Sequence, residues 1–330
     1  MSEDSGNPEQ SQNQAPDQAP FEGDAPTPDS PAQVDQEVAR KQRFMDAVGS
    51  GKDKQIRASF KERADEILNR NPDIENQYCV VTILEPRTKI IEVDLDWVFL
   101  SLRRRNANQK KDVLLVLLSH GGEIEPAYQI SKACKQRSHG RFVTAIPRHA
   151  KSAATLIAIG SDEIHMGPLG QLGPIDPQLG DLPALGVSKA LETIAGVCQK
   201  YPQSAPMFAR YLKETLTVRE IGYCDRIAES AAQYAERLLS TKPSIERRAG
   251  EIARKLVHEF KDHGFVIDLA EAIDILGTDV VKSETPEIEF AEQIYDLYEE
   301  FNWWLRHRKK EIIVCGDWDY RVIVRERSDD

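Results

Sequence analysis

The chain has 330 residues, 40% of them hydrophobic, with 43 Lys and Arg against 54 Asp and Glu for a formal net charge of −11. That length allows one large domain or two modest ones, with a sizeable core. No apolar run approaches the roughly 18 residues of a membrane span, no secretory pattern opens the chain, and five widely spaced cysteines argue against a disulfide framework and a Cys-x-x-Cys zinc site, so no membrane span and a cytoplasmic location are expected.

Residues 1–36 hold eight acidic residues and no Lys or Arg, so most of the net charge lies there. The segment is rich in Pro, Gln and Ser and nearly free of large apolar side chains, which predicts a disordered acidic tail. The remainder is close to charge balance, and nothing in it points to a nucleic-acid partner. Residues 37–74 read as N-terminal helices broken at Gly49-Ser50-Gly51. Ile56, Phe60, Ala64, Ile67 and Leu68 make one apolar stripe that needs a covering surface.

The main domain is expected over 75–285. Tyr78–Leu84 and Ile90–Val93 read as strands and Asp94–Arg103 as a short helix. The run Val113–Leu118 is apolar throughout, as in a strand buried on both faces. Arg103-Arg104-Arg105 with Lys110 and Lys111 reads as a solvated helix end. A helix to Gln136, a strand at Arg141–Ile146, an apolar helix at Ala153–Ile159 and a strand at Asp162–Met166 follow. This alternation implies parallel pairing with right-handed crossovers. After Gly167 a Gly- and Pro-rich loop runs to about Gly186. Helices are expected near 186–199, 203–214, 217–239, 244–262 and 269–276, with an edge strand at Asp279–Lys282. The segment 286–330 reads as an amphipathic helix through Ile294, Leu297, Tyr298, Phe301 and Leu305, then a hairpin around Gly316-Asp317.

Three stretches carry the chemistry: Ser119-His120-Gly121-Gly122, Ala150-Lys151-Ser152-Ala153-Ala154 and Gly173-Pro174-Ile175-Asp176-Pro177. Ser152 stands where a loop enters an apolar helix. It is either a helix N-cap or a nucleophile beside the free N–H groups of that helix. Gly121 and Gly122 directly follow a buried strand, where glycine lets the backbone turn its N–H groups toward a ligand. One of them, with the N–H of Ala153, would make an oxyanion hole.

These motifs, with Asp162-Glu-Ile-His-Met-Gly, resemble the Clp protease/crotonase superfamily. They resemble in particular the serine dehydrogenase proteinase family, related to the signal peptide peptidase A-like Ser–Lys proteases. The resemblance implies an α/β fold, a ClpP/crotonase-like superhelix of repeated strand–strand–helix units. It implies an ATP-independent serine peptidase that acts on polypeptides, needs no cofactor and self-associates. The stripes at 56–68 and 294–305 are candidate surfaces for that association. Ser152 falls on the nucleophile, Gly121 and Gly122 on the oxyanion glycines. Lys189, at a helix start after the Gly/Pro-rich loop, matches the general-base lysine; such a base must be buried to lower its pKa.

The chain departs from Clp proteases where their histidine would stand, because Ile175-Asp176-Pro177 occupies that place, so a Ser–His–Asp triad is not expected. His120 is a candidate substrate contact or a turn residue, Lys151 a rival base, and His165 and His263 structural or surface residues. Two other classes stay open: a crotonase-like enzyme acting on an acyl thioester, and an inactive scaffold that binds partners.

Overall fold

A computed structural model describes residues 42–327 apart from Val48, Pro86, Gln109, Pro177, Gly180, Asp181, Leu216 and Lys261, with backbone alone at 178–179, 182–185, 188, 218–221 and 224–225. The expected acidic tail lies outside these residues.

In chain order, α1 (Asp53–Arg70) and α2 (Pro72–Gln77) lead into β1 (Tyr78–Leu84). The units α3 (Glu92–Arg105), β2 (Asp112–Leu118), α4 (Ile124–Arg137) and β3 (Phe142–Ile146) follow. Then come β4 (His149–Ala150), α5 (Ala153–Ile159), β5 (Glu163–Met166), β6 (Gln171–Leu172), β7 (Gln178–Leu179) and β8 (Leu182–Pro183). A helical arm holds α6 (Ala184–Lys200), α7 (Ala205–Thr215), α8 (Val218–Leu239) and α9 (Ala249–Arg254), the last passing into a π turn at Lys255–Glu259. The chain closes with α10 (Leu269–Leu276), β9 (Val281–Lys282), α11 (Pro286–Arg306), β10 (Lys310–Gly316) and β11 (Val322–Glu326).

One seven-stranded sheet, ordered β11-β10-β1-β2-β3-β5-β9, organises these elements. Its middle is parallel, from β1 through β9, and the C-terminal hairpin adds two antiparallel strands beside β1. Strand β2 shows why its sequence is apolar at every position. Val113, Leu115 and Leu117 enter a core with α3, α4, α5, α8 and α9, while Leu114, Val116 and Leu118 enter the core under α1 and α11. Full burial of each such side chain is worth about 1.5–3 kcal/mol, so a one-residue slip would have little to gain but would misplace every neighbour.

Several expectations are revised. The segment Ile90–Val93 is not a strand: Ile90 makes a single bridge to Gly122, and α3 starts at Glu92 because Asp94 accepts the Ile91 N–H at 2.8 Å. The stripes at 56–68 and 294–305 are not open docking faces. They meet each other, with Phe60 and Phe301 rings 5.2 Å apart and Phe44 and Phe301 rings 4.8 Å apart. The basic helix end is less free than read, since Arg104 pairs with buried Asp317 and Arg105 with Asp319 at 3.5 Å. Among the described residues, no helix is long and apolar enough to cross a membrane.

Candidate active site

The C-terminal ends of β2 and β3 carry the loops that meet at Ser152. Ser119 N–H donates to the His149 carbonyl at 3.1 Å, and Lys151 N–H donates back to the Ser119 carbonyl at 3.0 Å. Strand β4 pairs in parallel with β6, His149 opposite Gln171 and Ala150 opposite Leu172. The Thr155 hydroxyl lies 2.7 Å from the Ala150 carbonyl and 2.8 Å from that of Gly173, and accepts the Gly173 N–H at 3.2 Å. Three loops distant in sequence are therefore tied together around one helix start.

Ser152 has φ 53° and ψ −122°, a backbone conformation normally left to glycine. Such a residue costs about 1–3 kcal/mol, and the hydrogen-bonded loops on either side are what hold it there. A sharp strand-to-helix turn of this kind presents a nucleophile above the sheet. The hydroxyl does not cap α5, so the simple N-cap role does not apply to its side chain.

Gly121, with φ +108°, packs directly on this turn. A Cβ there would lie 2.7 Å from Ser152 Cβ and 2.7 Å from the Lys151 carbonyl oxygen. A Cβ on Gly122 would come within 2.2 Å of the Ile90 nitrogen. The Gly121 N–H is already given to Ser119 Oγ at 3.1 Å. Among the described residues, the Gly122 N–H meets no backbone carbonyl. Ala153, the first residue of α5, has no carbonyl one turn earlier to bond. The N–H groups left for a ligand are thus those of Gly122 and Ala153, rather than of both glycines.

A cleft of about 600 Å³ brings His120, Gly121, Gly122, Ser152 and His263 together. Arg87, Thr88 and Lys89 form one wall, and Tyr223, Ile227, Ser230 and Tyr234 of α8 form another. The His120 ring stacks on His149, centroids 4.2 Å apart. Desolvation, then the neighbouring His120 and Lys151, push His149 down to about 4. His120 is likewise lowered by desolvation first and then by Lys151 and His263, so both rings are held neutral more readily than in water.

The sequence places Asp176 in a motif without a catalytic role and reads His263 as a structural or surface residue, yet the two meet here. His263 Nδ1 lies 3.7 Å from Asp176 Oδ2. Asp176 is only 8% exposed, and both its Oδ1 and His263 Nδ1 are buried without a hydrogen-bond partner. A pair of bonds between Leu172 and Ile267, at 2.9 and 3.0 Å, clasps the segment bearing Asp176 to the one bearing His263. The histidine expected about 25 residues after the serine is replaced by an aspartate, and a histidine returns from beyond the helical arm. The sequence hints were a Pro-flanked Asp176 and a helix break at His263-Gly264, with no spacing to link them. His165, by contrast, is a structural residue, bonded to Thr285 at 2.7 Å.

The lysines do other work. Lys189 is not among the residues lining the cleft. Its side chain is 78% exposed and paired with Glu192 at 2.8 Å, and that bond raises its pKa, the opposite of what a base requires. The expected Ser152–Lys189 pair is therefore absent from this arrangement. Lys151 donates to the Gly264 carbonyl at 3.1 Å, bracing the His263 turn. The lysine that burial does push down, to about 8, is Lys242. It donates to the Ile159 carbonyl at the far end of α5, some 10 Å of helix from Ser152.

Two solved structures are similar in outline: a serine-to-alanine mutant of the 1510-N membrane-bound stomatin-specific protease (16% identity, TM-score 0.40, 68% of this chain and 84% of that one) and ClpP1 from Listeria monocytogenes (15% identity, TM-score 0.38, 64% and 94%). Among curated relatives, the uncharacterized proteins MJ0137 and MJ1495 of Methanocaldococcus jannaschii are 31% and 27% identical over 62% and 56% of this chain. The chain spans 63% and 55% of their lengths. The profile described as ClpP-like SDH-type serine proteinase matches residues 74–315, most of the chain and the whole of the Ser152 site. The chain belongs to the ClpP-like SDH-type serine proteinase family.

Proposed function

We propose that the chain hydrolyses peptide bonds through an acyl-enzyme on Ser152, with His263 as general base and Asp176 as its orienting carboxylate. The observation that carries this reading is the buried His263–Asp176 pair at the cleft of Ser152, with His263 Nδ1 3.7 Å from Asp176 Oδ2 and free, among the described residues, of any hydrogen bond. A contact of that length shortens to a hydrogen bond with a small movement when substrate closes the cleft.

In this reaction Ser152 Oγ attacks the scissile carbonyl carbon and gives its proton to His263. The carbonyl oxygen, now an anion, accepts from the N–H groups of Gly122 and Ala153. The intermediate collapses as His263 protonates the departing amine, leaving an ester on Ser152. Water, deprotonated by the same imidazole, attacks that ester; the C–O bond to Ser152 breaks, the imidazolium returns its proton to Ser152 Oγ, and the acid product leaves. Asp176 fixes the imidazole tautomer and stabilises its charged form. His120 stands beside the glycines as a substrate contact. The residues follow the chain order Ser, Asp, His; the same chemistry appears on other folds in other orders.

The Ser–Lys route through Lys189 has no comparable support, because an exposed ammonium held by Glu192 is not available as a base. A fluorophosphonate probe tests both. Labelling should vanish in Ser152→Ala, slow by roughly 10²–10⁴-fold in His263→Ala, and stay unchanged in Lys189→Ala. Normal labelling in His263→Ala with loss in Lys189→Ala would reverse the assignment. Normal labelling in Ser152→Ala would end it.

A further inference from the structure

Where the chain leaves β1 and enters α3, three donors from three elements converge. They are Glu85 at the end of β1, Asp94 in the first turn of α3 and Cys315 in β10, with donor atoms within 4.8 Å of one another. All three are buried, Glu85 at 3% exposure and Cys315 at none. Among the described residues, Glu85 Oε1 has no hydrogen-bond partner, while its Oε2 accepts the Thr88 hydroxyl at 3.1 Å. Asp94 gives one oxygen to the Ile91 N–H. Arg87 and Arg325 form their ion pairs with Glu311, at 3.8 and 2.5 Å; Arg325 acts on Glu85 and Arg321 on Cys315 only through space, and among the described residues no ion pair reaches Glu85 or Asp94. Two carboxylates with no ion pair of their own are costly to bury, by several kcal/mol each in real interiors. A buried oxygen with nothing to accept adds to that cost.

We propose that Glu85, Asp94 and Cys315 form a binding site for a divalent cation of the zinc class. A thiol with two carboxylates selects a borderline metal over the hard calcium or magnesium ions. With Zn–S at about 2.3 Å and Zn–O at about 2.0–2.2 Å, tetrahedral donors stand roughly 3.5 Å apart. The three donors therefore need to close by about 1 Å, within the reach of side-chain rotation. Water, or the Asp94 carbonyl 3.9 Å from Cys315 Sγ, completes the set.

The ion would pin the segment between Glu85 and Asp94. That segment carries Arg87, Thr88 and Lys89 of the cleft wall. It also carries Ile90, whose N–H donates to the Gly121 carbonyl at 2.9 Å and whose carbonyl accepts the Glu123 N–H at 2.8 Å. The binding itself does not rest on the peptidase reading.

The test uses the full chain, stripped with a chelator and titrated with Cd²⁺ and with Zn²⁺. Because the histidines around Ser152 can also take metal, the decisive signal is thiolate-to-cadmium charge-transfer absorption. The wild type and Cys198→Ser should show it at one equivalent; Cys315→Ser and the isosteric Glu85→Gln should lose it. Zinc should raise the thermal midpoint of the wild type by a few degrees and leave Glu85→Gln unmoved. No thiolate band in the wild type, or a band that survives both variants, overturns the site and leaves the carboxyl pair neutralised by a proton.

Discussion

Asp176 Oδ2 stands 3.7 Å from His263 Nδ1, and the clasp between Leu172 and Ile267 keeps the two segments side by side. Replacing Asp176 by Asn should keep the fold and the cleft while removing the charge that orients the imidazole. Turnover should fall by about 10²–10⁴-fold with little change in KM. Peptide cleavage kinetics on wild type, Asp176→Asn and Lys189→Ala would check this; a Lys189→Ala loss equal to that of Asp176→Asn contradicts it.

Gly121 should tolerate no side chain. Alanine would sit 2.7 Å from Ser152 Cβ and would have to adopt φ +108°. The expected cost is about 2 kcal/mol or more in stability, from the backbone and the overlap together. A still larger loss of activity, at least about 10²-fold, should follow from displacing Ser152. Gly196 is the control. It lies in α6 with nothing within 4 Å of an added Cβ, so alanine there should be neutral or slightly stabilising in urea unfolding.

The stacked histidines predict acid sensitivity. His149 is held down to about 4 when folded, against an ordinary value of 6.5. Between those values the unfolded chain binds the proton and the folded chain does not, so stability falls as pH drops from about 6.5 to about 4. His149→Phe keeps a ring to stack on His120 and should flatten that part of the curve. Denaturant midpoints at pH 7 and pH 4.5 for the two proteins give the comparison; an identical drop in both refutes it.

Lys242 predicts the same direction of change at high pH. Burial lowers it from 10.5 to about 8, so between those values the unfolded state again carries more protons. Stability should rise as pH increases from about 8 to 10.5, by an amount on the order of 2–3 kcal/mol. Lys242→Met should lose that rise. Unfolding of wild type and variant across this range would read it directly.

Much of the frame was legible because periodicity reports burial. Val113–Leu118 announced a strand covered on both faces, and Ala153–Ile159 a helix with no exposed side. Gly121, Gly122 and Ser152 were readable because turn chemistry is local. The proposed general base was not. His263 and Asp176 become neighbours only through the Leu172–Ile267 clasp, a non-local pairing that leaves no periodic trace. Lys189 misled for the same reason: its apolar sequence neighbours suggested burial, while the fold turned its ammonium outward to Glu192. The C-terminal hairpin was visible as a hairpin, but not its place beside β1, because register between distant strands is set by the sheet.

The helical arm departs from the sheet after Asp176 and returns just before His263, and on its way α8 lends Tyr223, Ile227 and Tyr234 to the cleft wall. In the proposed mechanism, proton transfer would be anchored at the two roots of a branch whose crown lines the entrance. Under that proposal, drift in the crown would retune the diet of the protein while its chemistry stays rooted where it was.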